Sequence, residues 1–238
     1  TTMPVRAMKT GKQLNPSRKQ QAIALLQSNR LGEARALFDQ VLQDDRRDWE
    51  AWHLLSAVHG MLGEFDLAEK CSRKVITLQP GMVGAYVNLG NALMSQGRLE
   101  EALPCYRRVL QTKADDAQTH NNLGNLLKQQ GKLAEAEASY RQALHYAPQY
   151  PDAWTNLGML LQEQGKLDDA VSHYQQAVKL QPNHSEALHN LGCGLSAQGN
   201  HAAAAVCYEH LVKAHPHNVK AWSTLGATYN QLRQWDKA

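Results

Sequence analysis

Residues 151–182 read PDAWTNLGMLLQEQGKLDDAVSHYQQAVKLQP, and the same pattern returns along the chain. From Leu157 to Gly165 the apolar residues fall at i, i+3 and i+4, which places them on one face of a helix. Gly165 takes a positive φ without steric cost, so the spacing predicts that this helix ends there. Asp168 to Leu180 reads as a second amphipathic helix, and Pro182 prevents its continuation. Gly158 and Ala170 are small where two such helices would cross. Trp154, Leu157, Leu161 and Tyr174 supply the bulk around that crossing. A single pair of this size cannot bury its apolar faces alone, whereas stacked copies can.

The copies are visible. Asn88-Leu89-Gly90, Asn122-Leu123-Gly124, Asn156-Leu157-Gly158 and Asn190-Leu191-Gly192 stand 34 residues apart. Leu54-Leu55-Ser56 precedes them and Thr224-Leu225-Gly226 continues them at the same interval. Gly63, Gly97, Gly131, Gly165 and Gly199 keep step, as do Ala68, Ala102, Ala136, Ala170 and Ala204. So do Tyr106, Tyr140, Tyr174 and Tyr208, and then Pro80, Pro148, Pro182 and Pro216. A period in this range is the signature of a repeat architecture.

A bulky residue, Leu-Gly, Gly, Ala, Tyr and Pro on a 34-residue period resembles the tetratricopeptide-repeat (TPR) family. The resemblance implies an all-α fold, a right-handed superhelical solenoid of helix-turn-helix repeats. Placed by that motif, the repeats fall at 49–82, 83–116, 117–150, 151–184 and 185–218, with an incomplete sixth at 219–238. Residues 1–14 are a tail, and 15–48 form a degenerate, capping repeat. It keeps Leu25, Ala34, Phe38 and Val41 but has Arg18, Gln21 and Ala22 where the motif wants a bulky residue, Leu and Gly. A polar first helix suits the end of a solenoid. At the other end no polar capping helix appears. Trp222, Tyr229 and Trp235 are expected to be partly unpartnered there, as in a piece of a longer protein.

Composition narrows the function. The net charge of +3 is too small for a binder held by phosphate neutralisation, so nucleic acid is not an expected partner. No apolar run approaches the roughly 18 residues of a membrane span, so no membrane partner is expected either. The opening residues carry no apolar signal-peptide core. The four cysteines show no CxxC spacing and no disulfide framework. Cys71, Cys105 and Cys207 recur at one repeat place, where a small buried hydrophobe is the simplest reading. Reduced thiols point to a cytoplasmic location.

By the resemblance, the first helix of each pair lines an inner, concave face. Its inner side chains stand at the second, fifth, sixth, ninth, twelfth and thirteenth places of the repeat. The sixth place reads Leu54, Asn88, Asn122, Asn156, Asn190 and Thr224. An Asn amide carries both a donor and an acceptor, so it can pair with the C=O and N–H of an extended peptide. Repeated at each pair, it forms a ladder that reads main chain. Asn121 at the fifth place, and Asn91 and Asn125 at the ninth, would add polar contacts. The opposing reading has these amides bonding to neighbouring helices and keeping the stack in register. The two roles are compatible.

The ladder, with the Asn-Leu-Gly-Asn strings at 88–91 and 122–125, is similar to the TPR region of protein O-linked N-acetylglucosamine transferases. That similarity implies that Asn88, Asn122, Asn156 and Asn190 hold the backbone of substrates or partners. The catalytic glycosyltransferase domain of that family is absent from these residues. Two functions follow: a protein-protein interaction scaffold with a peptide in its groove, or the substrate-targeting region of a larger transferase. A third reading is a homo-oligomer, joined through the convex face or the open C-terminal end.

Other chemistry recedes. The second place reads Glu50, Gly84, Gln118, Asp152, Glu186 and Lys220, and these acids would repel the acidic tail that chaperone-binding TPR clamps hold. They suit a partner with basic or neutral side chains. His189 and Cys193 have metal-ligand spacing on a helix, but two ligands do not make a site, so no metal and no cofactor is expected. Gly192-Cys193-Gly194 lies inside a helix, which excludes a phosphate loop. Asp115-Asp116 and Asp168-Asp169 fall near the starts of second helices or in the loops before them, where they favour the helix dipole and solvation. No nucleophile has a matching base, so no catalytic residue is predicted.

Overall fold

The computed structural model describes residues 17–232. Among them are thirteen α-helices and no strand. They are α1 (Arg18–Gln27), α2 (Leu31–Asp44), α3 (Trp49–Met61), α4 (Phe65–Leu78), α5 (Val83–Ser95), α6 (Leu99–Thr112) and α7 (Ala117–Gln129). There follow α8 (Leu133–Tyr146), α9 (Pro151–Glu163), α10 (Leu167–Leu180), α11 (Ser185–Ala197), α12 (His201–Ala214) and α13 (Val219–Gln231). The chain divides into two compact units inside α5, one through Ala92 and one from Leu93 onward.

Local chemistry sets the helix ends. Asp48, Asp116, His184 and Asn218 cap α3, α7, α11 and α13, each accepting from the backbone N–H three residues on. α9 starts instead on Pro151, whose missing N–H needs no partner in the first turn. At the other end of α9, Gly165 has φ +77°, and Lys166 N–H reaches back to Leu161 O at 2.9 Å. This left-handed exit satisfies the last carbonyls and turns the chain into α10. Asp116 corrects one expectation: the Asp115-Asp116 pair precedes a first helix, not a second. Asp168 and Asp169 do lie in the first turn of a second helix, α10.

In the unit from Leu93 onward, the crossing of each pair is built on a glycine. A Cβ on Gly158 would lie 2.6 Å from Tyr174 Cε1, a distance that real side chains do not adopt. Gly124 stands in the same way against Tyr140, and Gly192 against Tyr208. The tyrosine rings are buried with Ala136, Ala170 and Ala204 in one continuous core that also takes in Leu157, Leu188 and Leu225. The unit through Ala92 has its own core around Phe38, Leu55 and Val58.

A second device joins successive repeats. The fourth place donates a side-chain hydrogen bond to the carbonyl six residues earlier, in the preceding turn. Trp52 reaches Arg46 O at 3.0 Å and Tyr86 reaches Pro80 O at 3.1 Å. His120 reaches Ala114 O, Trp154 reaches Pro148 O and Trp222 reaches Pro216 O, all at 2.9 Å. Leu188 holds this place in the fifth repeat and has no donor. Trp154→Phe keeps most of the ring and removes the donor. Its expected cost is about 0.5–1.5 kcal/mol, measured as a drop in unfolding midpoint by circular dichroism. An unchanged midpoint would show that the bond does not brace the turn.

The C-terminal aromatics divide. Trp222 is 52% exposed, whereas Tyr229 is buried and donates to a carboxylate oxygen of Glu209, so Tyr229 departs from the expectation of an unpartnered ring. Trp235 lies outside the described residues.

Candidate functional site

The sixth-place asparagines sit on α5, α7, α9 and α11, and all four are half-buried. Their surroundings differ. Asn88 Nδ2 donates to Ser56 Oγ on α3 at 2.7 Å. Asn156 Nδ2 donates to Asn121 Oδ1 on α7 at 2.9 Å. Asn122 also has a partner. Asn190 Nδ2 is buried and has no hydrogen-bond partner among the described residues. An unpaired buried donor is costly and uncommon in native folds, and Asn190 Nδ2 is one that the described residues of the stack do not use.

The flanking amides are more committed. Asn121 is only 4% exposed, and its carbonyl oxygen is the one that receives Asn156. The ionisation of the Tyr150 hydroxyl is pushed up mainly by burial, with Asn121 acting in the opposite direction. Asn125 Oδ1 accepts from Tyr140 at 2.7 Å, and Asn91 likewise has a partner.

Sequence reasoning missed the hydroxyls of the recurrent tyrosines. Each ring is a core element, yet its oxygen reaches polar atoms on the paired first helix. Tyr140 meets Asn125, Tyr174 meets Gln162 Oε1 at 2.9 Å and Tyr208 meets Cys193 Sγ at 3.3 Å. The available signal was the polar character of the ninth and twelfth places opposite an invariantly spaced tyrosine.

The acids of the second place are partly neutralised within the fold. Glu50 pairs with Lys19, and Asp152 Oδ1 lies 2.8 Å from His184 Nε2. His184 Nδ1 accepts from Ala187 N–H, so Nε2 carries the proton given to Asp152. His189 Nε2 lies 3.7 Å from Cys193 Sγ. Burial, with help from the Lys220 ammonium, holds the His189 imidazole below its usual pKa and so disfavours its charged form. No group of three or more metal-ligating side chains is assembled among the described residues. Cys71, Cys105 and Cys207 are buried and Cys193 is partly exposed.

Stacked helix pairs with capped ends, glycine-tyrosine crossings and a polar row along the first helices define a helical-repeat protein. Three family profiles match the chain, and all are TPR profiles. They are a tetratricopeptide repeat at residues 19–70, a TPR repeat at 90–131, and the cilia and flagella-associated protein 70 middle TPR-like domain at 122–238. The chain belongs to the tetratricopeptide-repeat family.

No curated protein matches the chain in sequence. Among solved structures, it is similar to PilW, a widely conserved type IV pilus biogenesis factor. The two are 21% identical with a TM-score of 0.76, covering 90% of this chain and all of PilW. It is also similar to the APC/C hetero-tetramer Cut9-Hcn1, at 19% identity and a TM-score of 0.79, covering 89% of this chain. The chain spans 42% of the length of the Cut9-Hcn1 chain it matches. YrrB, a TPR protein with an unusual peptide-binding site, aligns at 19% identity and a TM-score of 0.53, over 79% of this chain and 96% of YrrB. These likenesses show the fold. The TPR fold supports a protein-interaction scaffold in general terms. No helix among the described residues is long and apolar enough to cross a membrane.

Proposed function

We propose that this chain holds extended peptide segments of partner proteins along the first-helix faces of its repeats. The observation that carries this reading is the buried Asn190 Nδ2, a donor without a partner among the described residues and on the sixth place of its repeat. A peptide carbonyl would satisfy it. Asn88 and Asn156 each spend an N–H on a neighbouring helix and keep register. Amide oxygens accept through two lone pairs, so these rungs still offer acceptors to a peptide N–H. Support of a general kind comes from YrrB, a TPR protein of the same fold with a peptide-binding site. A net hydrogen bond contributes about 0.5–1.5 kcal/mol, so four rungs give about 2–6 kcal/mol before the ordering cost. Binding through them is weak and tolerant of sequence.

The test compares a lysate pull-down by the chain with pull-downs by Asn190→Ala and by the fourfold Ala variant at Asn88, Asn122, Asn156 and Asn190. Asn190→Ala removes no hydrogen bond found among the described residues, so it should keep its unfolding midpoint and lose part of the partner signal. The fourfold variant should stay helical, with a lower midpoint from the lost Asn88, Asn122 and Asn156 interactions, and lose most of its partners. If a folded fourfold variant retained the same partners, the amides would be structural and the reading would fail.

A further inference from the structure

On the second-helix side of the unit through Ala92, α2, the α2–α3 turn, α3 and α4 enclose an open cavity of about 620 Å³. Its lining includes Leu42 and Trp52 together with Arg46, Lys70 and Lys74, and Asp39 is the one acid. The indole N–H of Trp52 is tied to Arg46 O, which fixes the ring in the wall. Arg46, Lys70 and Lys74 are exposed, and no ion pair within the described residues engages them. The volume falls in the range of sites that take small ligands or side chains, about 300–1,000 Å³.

The repeat supplies an internal control. The places held by Arg46, Lys70 and Lys74 are occupied by Pro80, Pro104 and Arg108 at the next junction, and by Ala114, Ala138 and Gln142 at the one after. The TPR stack therefore does not need cations at these places. Here three of them gather around an apolar wall formed by a tryptophan and a leucine.

We propose that this cavity binds an acidic peptide segment. Carboxylates pair with Arg46, Lys70 and Lys74 while an apolar side chain rests on Trp52 and Leu42. The site is independent of the asparagine row, which lies on first helices. A pocket with three cations and an apolar wall suits a short acidic-apolar motif. A nucleic-acid strand would need a longer basic track.

The experiment measures fluorescence anisotropy of a labelled peptide of alternating Glu and Leu with the full chain. A peptide with Lys in place of Glu and a single-stranded oligonucleotide serve as competitors. Lys70→Glu/Lys74→Glu is expected to weaken the acidic peptide about tenfold and to strengthen the Lys peptide. Lys70→Gln/Lys74→Gln, which avoids new repulsion, should weaken the acidic peptide less, and both variants should keep the wild-type circular dichroism. Equal binding by wild type and both variants, no binding of the acidic peptide, or tighter binding of the oligonucleotide would each overturn the proposal.

Discussion

Tyr174→Ala is expected to lower the stability of the unit from Leu93 onward by about 3–5 kcal/mol, the range for emptying a large buried aromatic site. The Tyr174 ring is fully buried against Gly158, and its hydroxyl is bonded to Gln162. The reciprocal change is also costly. Gly158→Ala puts a methyl where Tyr174 already stands, and overpacking of this kind costs about 1–3 kcal/mol. The two effects are coupled, because the added methyl meets little once the ring is gone. In a Tyr174→Leu background, Gly158→Ala should therefore cost much less than it does in the parent, a non-additivity expected of residues in contact. Urea unfolding followed by circular dichroism measures all four corners of the cycle. Equal costs of Gly158→Ala in both backgrounds would mean that the close approach is not what keeps this position small.

The second large effect is alkaline unfolding. Burial drives the Tyr106, Tyr140, Tyr174 and Tyr208 hydroxyls well above the ordinary tyrosine value. Burial also pushes the Cys71 thiol up to about 12, with a smaller contribution from Asp39, and the Cys207 thiol up to about 11. The unfolded chain releases these protons at ordinary values, about 8.5 for Cys and about 10 for Tyr. Between the unfolded and the folded pKa the native state binds more protons, so stability falls as pH rises. The contribution is fully present below the unfolded values. Each group then removes up to about 1.4 kcal/mol per pH unit. All six act together between the unfolded tyrosine value of about 10 and the folded Cys207 value of about 11. Above that the thiols drop out in turn and the tyrosines continue. The urea midpoint should hold up to about pH 8.5 and fall increasingly steeply above about pH 10. The buried tyrosines should ionise with the loss of helix, not before it. Ionisation of all tyrosines while the helical signal stayed intact would contradict this account.

The fold was legible because its determinants are local and repeated. A helix needs only apolar spacing, a cap and a stop, and each of these lies within about ten residues of the others. Gly165, Pro151 and Pro182 do their work through their own φ or missing N–H, whatever packs beside them. The 34-residue recurrence of Asn-Leu-Gly, Gly, Ala and Tyr then multiplied a modest signal into an architecture.

The candidate site was legible only as a row of residue types. The asparagines occupy equivalent places in the repeat, yet Asn156 donates to Asn121, Asn88 to Ser56, and Asn190 Nδ2 has no partner among the described residues. Those differences come from the fifth and eighth places of the preceding repeat, about 32–35 residues away. A side-chain amide responds to what lies within about 3 Å of it, and periodicity does not report that. The same holds for the tyrosine hydroxyls and for the cations around Trp52, whose elements α2, α3 and α4 meet only in the packed unit. The amino-acid sequence by itself determined the repeat, the helix ends and the residues small enough to sit at the crossings. Tertiary structure alone decided which polar atoms are spent on holding the stack and which are not, because a hydrogen bond is a contact in space and not a spacing in the chain.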